Sequence, residues 1–302
     1  MDVLTDVLET TQVRGVVLSN RRYVSPWGFQ FGVKQAGFHL VMDGLCWLRV
    51  GERPAQQLLQ GDLVLVPSGA SHALSDTPTR RLEPLEALQS RTPQRASLGA
   101  QSARVVCGAY QFDGPGPNPL LALLPPVLHL SAAQVQAYEP LSATLRMLMA
   151  ELEGGGPGSD ALVDRLVNAL LVYLLRSWLR SQPEGTGGWL GALTDGPVGR
   201  ALARVHSEPA RGWTVETLAR EAGLSRAAFA RRFQARVGMP PLGYLTRWRM
   251  DLAAQRLRGS TDKLAQIASD VGYDSEFAFS RAFKRTHGVP PSALRAGRPA
   301  KR

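Results

Sequence analysis

Short apolar runs separated by turn residues dominate the first 130 positions. Residues 27–31, 38–42, 45–50, 63–66 and 105–112 each have the length and composition of a strand, and little in this stretch repeats at a helical spacing. Asp43-Gly44, between two of these runs, predicts a hairpin turn. Pro115, Pro117, Pro119, Pro125 and Pro126 are expected to end the strand region, because proline cannot donate to a ladder. Many short strands with turns between them predict a sandwich or barrel.

From residue 140 the period changes. Leu141, Leu145, Leu148 and Leu152 recur on one helical face, and the glycines of 154–158 interrupt it. Leu162, Leu166, Leu170, Leu174 and Trp178 then repeat the spacing, with Val163, Val167, Leu171 and Leu175 beside them. So wide a stripe suits packing against the strand region, a dimer interface, or both. The glycine-rich stretch 182–197 reads as a flexible linker.

Beyond it, helix caps become readable. Thr214 is placed to cap a helix, Glu216 favours its positive end, and Trp213 can staple onto Leu218. Gly223 ends that helix, and Ser225 caps the next, which buries Phe229, Phe233 and Val237 at i, i+4 and i+8. Helix, short glycine turn and helix form a helix-turn-helix unit at about 214–237. The face opposite the phenylalanines presents Ala227, Arg231 and Gln234; Arg226, Arg232 and Arg236 lie on its flanks, where phosphates would run. Fifty residues on, the pattern returns at about 263–287. Leu264, Ile267, Ala268 and Val271 line a short helix, Gly272-Tyr273-Asp274 turns, and Ser275 caps a helix burying Phe279 and Phe283. Phe277, Arg281 and Lys284 face outward, with Glu276 at the tip. A helix over 242–258, with Tyr244, Trp248 and Leu252 on one side, joins the units and spans roughly 25 Å.

Charge sharpens this picture. From Gly196 onward there are 20 Lys/Arg and 8 Asp/Glu, whereas the first 195 residues carry 15 and 17. The positive excess lies wholly on the part that holds the two units, as a polyanion binder requires. No apolar stretch is long and uncharged enough for a membrane span, and the acidic start (Asp2, Asp6, Glu9) is not a secretory signal, so a cytoplasmic protein is expected.

At these residues the chain resembles the AraC/XylS family of transcription regulators. The resemblance covers about Val198 to Leu294, and rests on the run Val271 to Arg285, on Gly288-Val289-Pro290-Pro291, and on Trp248-Arg249-Met250 with Ala253-Ala254. It implies two recognition helices set in adjacent major grooves of double-stranded DNA. Base-edge contacts would come from Ala227, Ala230 and Arg231 in the first and from Glu276, Phe277 and Arg281 in the second. Arg226, Gln234, Ser275, Lys284 and Arg285 complete the candidate surface. The DNA-binding domain so implied is monomeric; RNA polymerase and a second copy of the chain, paired through the strand and helical parts of the first half, are the expected protein partners.

Gly61, Pro67, Gly69 and His72 have the spacing of the second cupin motif, a turn, strand and turn delivering a histidine into a small β-barrel. Of the first motif only His39 stands in a plausible strand. Trp27, His39, Trp47 and His72 resemble the cupin-type sensor domains of one branch of the family, which implies an effector pocket. Two imidazoles fall short of the three or four ligands of a stable metal site, so no metal or other cofactor is expected, and a cupin enzyme fused to a DNA-binding module lacks its triad. An architectural DNA-binding protein does not explain the long non-basic first half. The two cysteines, Cys46 and Cys107, read either as buried apolar residues or as a redox switch.

The expected architecture is multidomain α+β. A cupin-like β-barrel sensor over 1–130 leads to a helical, dimerising connector over 131–182 and a linker over 183–197. An all-α DNA-binding domain over 198–302 follows.

Overall fold

The computed structural model describes residues 2–11, 13–32, 35–84, 101–111, 124–183 and 188–296. They fall into two units, one drawn from 13–183 and the other from 1–12 together with 184–302.

The chain begins with a helix, α1 (Val3–Thr10), whose first turn is capped by Asp2 accepting from Thr5 N at 3.0 Å. The strand unit follows: β1 (Arg14–Val24), β2 (Gly28–Phe31), β3 (Ala36–Asp43), β4 (Leu45–Val50), β5 (Gln56–Leu59), β6 (Leu63–Val66), β7 (His72–Ser75), β8 (Glu83–Pro84), β9 (Ser102–Gln111) and β10 (Leu128–Leu130). They form two five-stranded sheets, ordered β1-β9-β3-β6-β10 and β5-β4-β7-β2-β8. The sheets pack face to face, so the cupin-like unit is a sandwich rather than the closed barrel expected. Val41, Val64, Val105 and Cys107 of one sheet meet Phe31, Cys46, Leu48 and Leu74 of the other in a shared core.

Asp43-Gly44 does not make a hairpin. β3 and β4 lie in different sheets, and the turn carries the chain from one to the other. Gly44 sits at φ +74°, and a Cβ there would fall 2.2 Å from the Ser102 carbonyl oxygen, so this crossing requires glycine. Pro125 and Pro126 precede one more strand, β10, rather than ending the sheet; residues 112–123, with Phe112, Pro115, Pro117 and Pro119, lie outside the described residues.

Three helices complete this unit: α2 (Ala132–Ala137), α3 (Glu139–Gly154) and α4 (Ser159–Ser181). α2 opens with a capping box between Ser131 and Gln134. α4 lies against the outer face of the first sheet, where Tyr110 donates to the Val167 carbonyl at 3.0 Å and Gly15 N to Asn168 at 2.8 Å. Leu170, Leu174 and Trp178 are buried as the spacing predicts, but Leu162 remains 48% exposed.

The second unit is helical: α5 (Gly188–Ala192), α6 (Gly196–Ser207), α7 (Val215–Ala222), α8 (Arg226–Val237), α9 (Pro241–Gly259), α10 (Leu264–Asp270), α11 (Glu276–His287) and α12 (Pro291–Ala296). The expected linker is largely absent from 188 onward. Trp189 and Leu190 are fully buried in α5, because two large apolar side chains outweigh the glycines around them. α1 also belongs here rather than with the strands. Its Val3, Leu4 and Val7 are buried, Asp6 meets His206 of α6 at 3.2 Å, and the Glu9 carbonyl accepts from Gln255 of α9 at 3.3 Å.

Candidate nucleic-acid interface and sensor site

The second helices of the two helix-turn-helix units are built alike. Ser225 accepts from Ala228 N and Ser275 from Ala278 N, each at 3.3 Å, closing the first turns of α8 and α11. Phe229 and Phe233 of α8, and Phe279 and Phe283 of α11, have no exposed surface. The phenylalanines fix which face turns outward. On α8 that face carries Arg226, Ala227, Arg231 and Gln234, all exposed, with Ala230 half-buried. On α11, Ser275, Glu276, Phe277, Arg281, Lys284 and Arg285 are exposed. Phe277 is 72% exposed and stands beneath the Arg281 guanidinium, 5.7 Å from its ring centre.

Arg231 and Arg281 each stand six residues beyond their capping serine, and among the described residues neither has a carboxylate partner. Arg232 and Arg236, expected along the phosphates, are instead held by Asp195, at 2.9 and 3.2 Å. Asp195 also caps α6 by accepting from Val198 N at 3.1 Å. Burial works against its charge, but the Arg232 guanidinium and the Val198 amide hold its carboxyl below the usual carboxylate range.

α9 has two working faces. Tyr244 and Trp248 pack toward α6 and α8, where Tyr244 meets Phe233 edge-on at 5.9 Å. Met250, Ala253, Ala254 and Leu257 share a core with Ile267, Phe279 and Phe283. Arg249 donates to the carbonyls of Pro209 (2.7 Å), Arg211 (2.9 Å) and Gly272 (3.2 Å), tying a loop of the first half to the turn of the second. One guanidinium with a fixed fork of donors can bridge three carbonyls in this way. Arg249 belongs to the Trp248-Arg249-Met250 motif, and only the folded arrangement of these three carbonyls gives it a role.

In the sandwich, the four residues expected to line a pocket have different surroundings. His39 and His72 meet, Nε2 to Nε2, at 2.9 Å, both 1% exposed, with the Phe31 ring stacked 5.0 Å from His72. His72 Nδ1 donates to the Ala70 carbonyl at 2.8 Å, so its neutral ring presents a bare Nε2 that accepts from His39 Nε2–H. His39 Nδ1 is thereby left as a lone pair, buried and with no hydrogen-bond partner. Burial pushes both imidazoles below their ordinary range and keeps them neutral. Trp27 lies elsewhere in the same interior, stacked on Tyr23 at 4.9 Å. Trp47 alternates with buried Cys46 and Leu48 on β4 and so faces away from the core.

Among the described residues no group of three or more His, Cys, Asp or Glu side chains is placed to hold a metal ion. Two imidazoles that bond each other, walled by Phe31, do not fit the cupin metal. Cys46 and Cys107 share the core at 0% and 1% exposure, and burial pushes both thiols up, Cys107 to about 12. That disfavours the thiolate on which oxidation depends.

Sequence comparison agrees with this two-part geometry. The family described as Cupin matches residues 2–180, and the family described as a helix-turn-helix domain matches 218–297. An AraC-like transcription regulator of Streptomyces lividans is 36% identical over 299 residues, 98% of each chain. The chain belongs to the AraC family of transcription regulators. The AraC-type regulator is also 31% identical to the HTH-type transcriptional regulator AlkR of Acinetobacter baylyi, over 98% of its own length and 99% of AlkR. Among solved structures, the DNA-binding domain of AdpA in complex with a target DNA is 33% identical over 33% of this chain and 90% of that one, with a TM-score of 0.32. These full-length relatives are regulators, not enzymes. No helix among the described residues is long and apolar enough to cross a membrane.

Proposed function

We propose that this AraC-type DNA-binding regulator reads promoter DNA through Arg226, Ala227, Ala230, Arg231 and Gln234 of α8 and Ser275, Glu276, Phe277, Arg281, Lys284 and Arg285 of α11. The two helices enter consecutive major grooves, and binding is adjusted by a signal received in the 13–183 unit. The observation that carries the reading is the matched placement of Arg231 and Arg281, each exposed six residues past its cap and backed by two buried phenylalanines. An arginine fork so placed suits the paired acceptors of guanine, and the exposed Phe277 ring suits a thymine methyl.

The test is a mobility-shift assay on a duplex selected from a random pool. Affinity should fall steeply with salt, with a log–log slope of about −5 or steeper, because several phosphates are neutralised at about −0.9 each. Arg231→Ala should lose about 10-fold or more in discrimination against a scrambled duplex while keeping most non-specific affinity. A flat salt dependence contradicts the reading.

A small-molecule signal is favoured over a redox one, since Cys46 and Cys107 are buried and protonated. A Cys46→Ser/Cys107→Ser double variant should keep its full DNA response to hypochlorite; a lost response would restore the redox switch. Pairing of two copies through 131–182 is supported by exposed Met147 (52%) and Leu162 (48%) on α3 and α4. Sedimentation showing only monomer would contradict it. The DNA-bound regulator would then act on RNA polymerase.

A further inference from the structure

We propose that the groove along α3 in the 13–183 unit binds an amphiphilic organic acid, its apolar body on the groove floor and its anionic group on Arg146. The inference rests on the reading of that unit as the receiver of a small-molecule signal, and moves the site out of the sandwich interior.

The interior site expected from the sequence is taken up by its own side chains: the two imidazoles bond each other, Phe31 stacks on them, and Trp47 points away. A cavity of about 800 Å³ lies elsewhere, between the end of β3 and the β5–β6 turn on one side and α2 and α3 on the other. That volume is ordinary for a small-molecule site. Its floor is apolar, from Leu40, Val135, Leu145 and Met149, all buried. Along α3 it runs from Ser142 to Glu153, which is roughly 16 Å of helix.

Both ends are held in place. At one end Asp62, 5% exposed, accepts from Leu59 N, Ala132 N and His129 Nε2, each at 3.0 Å, fixing the turn against the start of α2. At the other, Glu153 is neutralised by Arg104 at 2.8 Å. Arg146 is different. Its partner Glu139 lies 2.7 Å away but does not line the cavity, and the two side chains are 64% and 72% exposed. An exposed pair of this kind contributes little, so the guanidinium can turn to a ligand without a large loss. A carboxylate or sulfonate presented at an apolar wall would be a stronger, bidentate partner. Gln60 and Gln136 add uncharged donors at the rim.

The test uses the full chain and two fluorescent probes of similar body, anionic anilinonaphthalene sulfonate and uncharged N-phenyl-1-naphthylamine. The sulfonate should bind one site per chain and more tightly than the amine. Arg146→Glu should weaken the sulfonate about 10-fold or more and leave the amine nearly unchanged. Ala150→Trp, a plug at an exposed rim position, should weaken both about 10-fold while leaving the melting temperature unchanged. Sulfonate binding indifferent to both variants would place the probe elsewhere and overturn the site. Equal binding of the two probes, insensitive to Arg146, would overturn the acid. If both variants behave as expected but saturating sulfonate leaves DNA affinity untouched, the site stands and the sensor reading fails.

Discussion

His206 is a buried, pH-sensitive point of the helical unit, and His287 acts in the same sense. His206 stacks on Trp248 at 4.0 Å, donates from Nδ1 to Asp6 at 3.2 Å and accepts at Nε2 from the Tyr244 hydroxyl at 2.8 Å. This satisfies the neutral ring completely, and burial pulls its pKa down to about 3. The unfolded imidazole takes a proton below about 6.5 while the folded one does not. Its contribution is therefore present above 6.5 and lost as pH falls toward 3. Asp251 works in the opposite sense. Burial pushes its carboxyl up to about 6, against the pull of Arg247, so its contribution is present below the ordinary carboxylate pKa and lost as pH rises through 6. On acidification the His206 loss sets in near 6.5, before the Asp251 gain begins near 6, so the loss leads. Urea unfolding at pH 7.5 and 5.0 should show a loss of stability on acidification that is clearly smaller in His206→Gln. An identical loss in both proteins would place the sensitivity elsewhere, for instance at His39 and His72.

At the scale of elements, caps and helical spacing were the readable features. Thr214, Ser225 and Ser275 cap the helices they were expected to cap, and the Phe229/Phe233 and Phe279/Phe283 pairs are the cores their spacing predicts. What escaped was whatever depends on partners distant in sequence. β1 is an 11-residue strand whose sequence, Arg14–Val24, is broken by Ser19, Asn20, Arg21 and Arg22, and only its pairing with β9 defines it. α1 is short, and its buried face has no meaning until α6 and α9 are present. Asp195 lay in a stretch read as linker, yet it joins α6 to α8. Asp195→Ala removes that cap and both ion pairs, and should destabilise the protein by about 1 to 2 kcal/mol. It also frees Arg232 and Arg236, so non-specific DNA affinity at low salt should rise. Unchanged stability by calorimetry would show the tie to be incidental.

At the scale of the molecule, the helical unit is built on a rod, α9, with α8 packed toward one face and α11 toward another. α9 runs 19 residues, roughly 28 Å, with Tyr244 and Trp248 serving one half and Met250 to Leu257 the other. Arg249 bonds carbonyls of both halves, so the halves are held as one body rather than hinged at the rod. A rigid pair of this length is suited to successive major grooves, whose repeat is about 34 Å. Hydroxyl-radical footprinting of the full chain on a selected duplex tests this most directly. Two protected patches about 10 base pairs apart on one face are expected, with Arg281→Glu erasing one and sparing the other. A single patch, or both patches lost together while binding persists, would contradict the account.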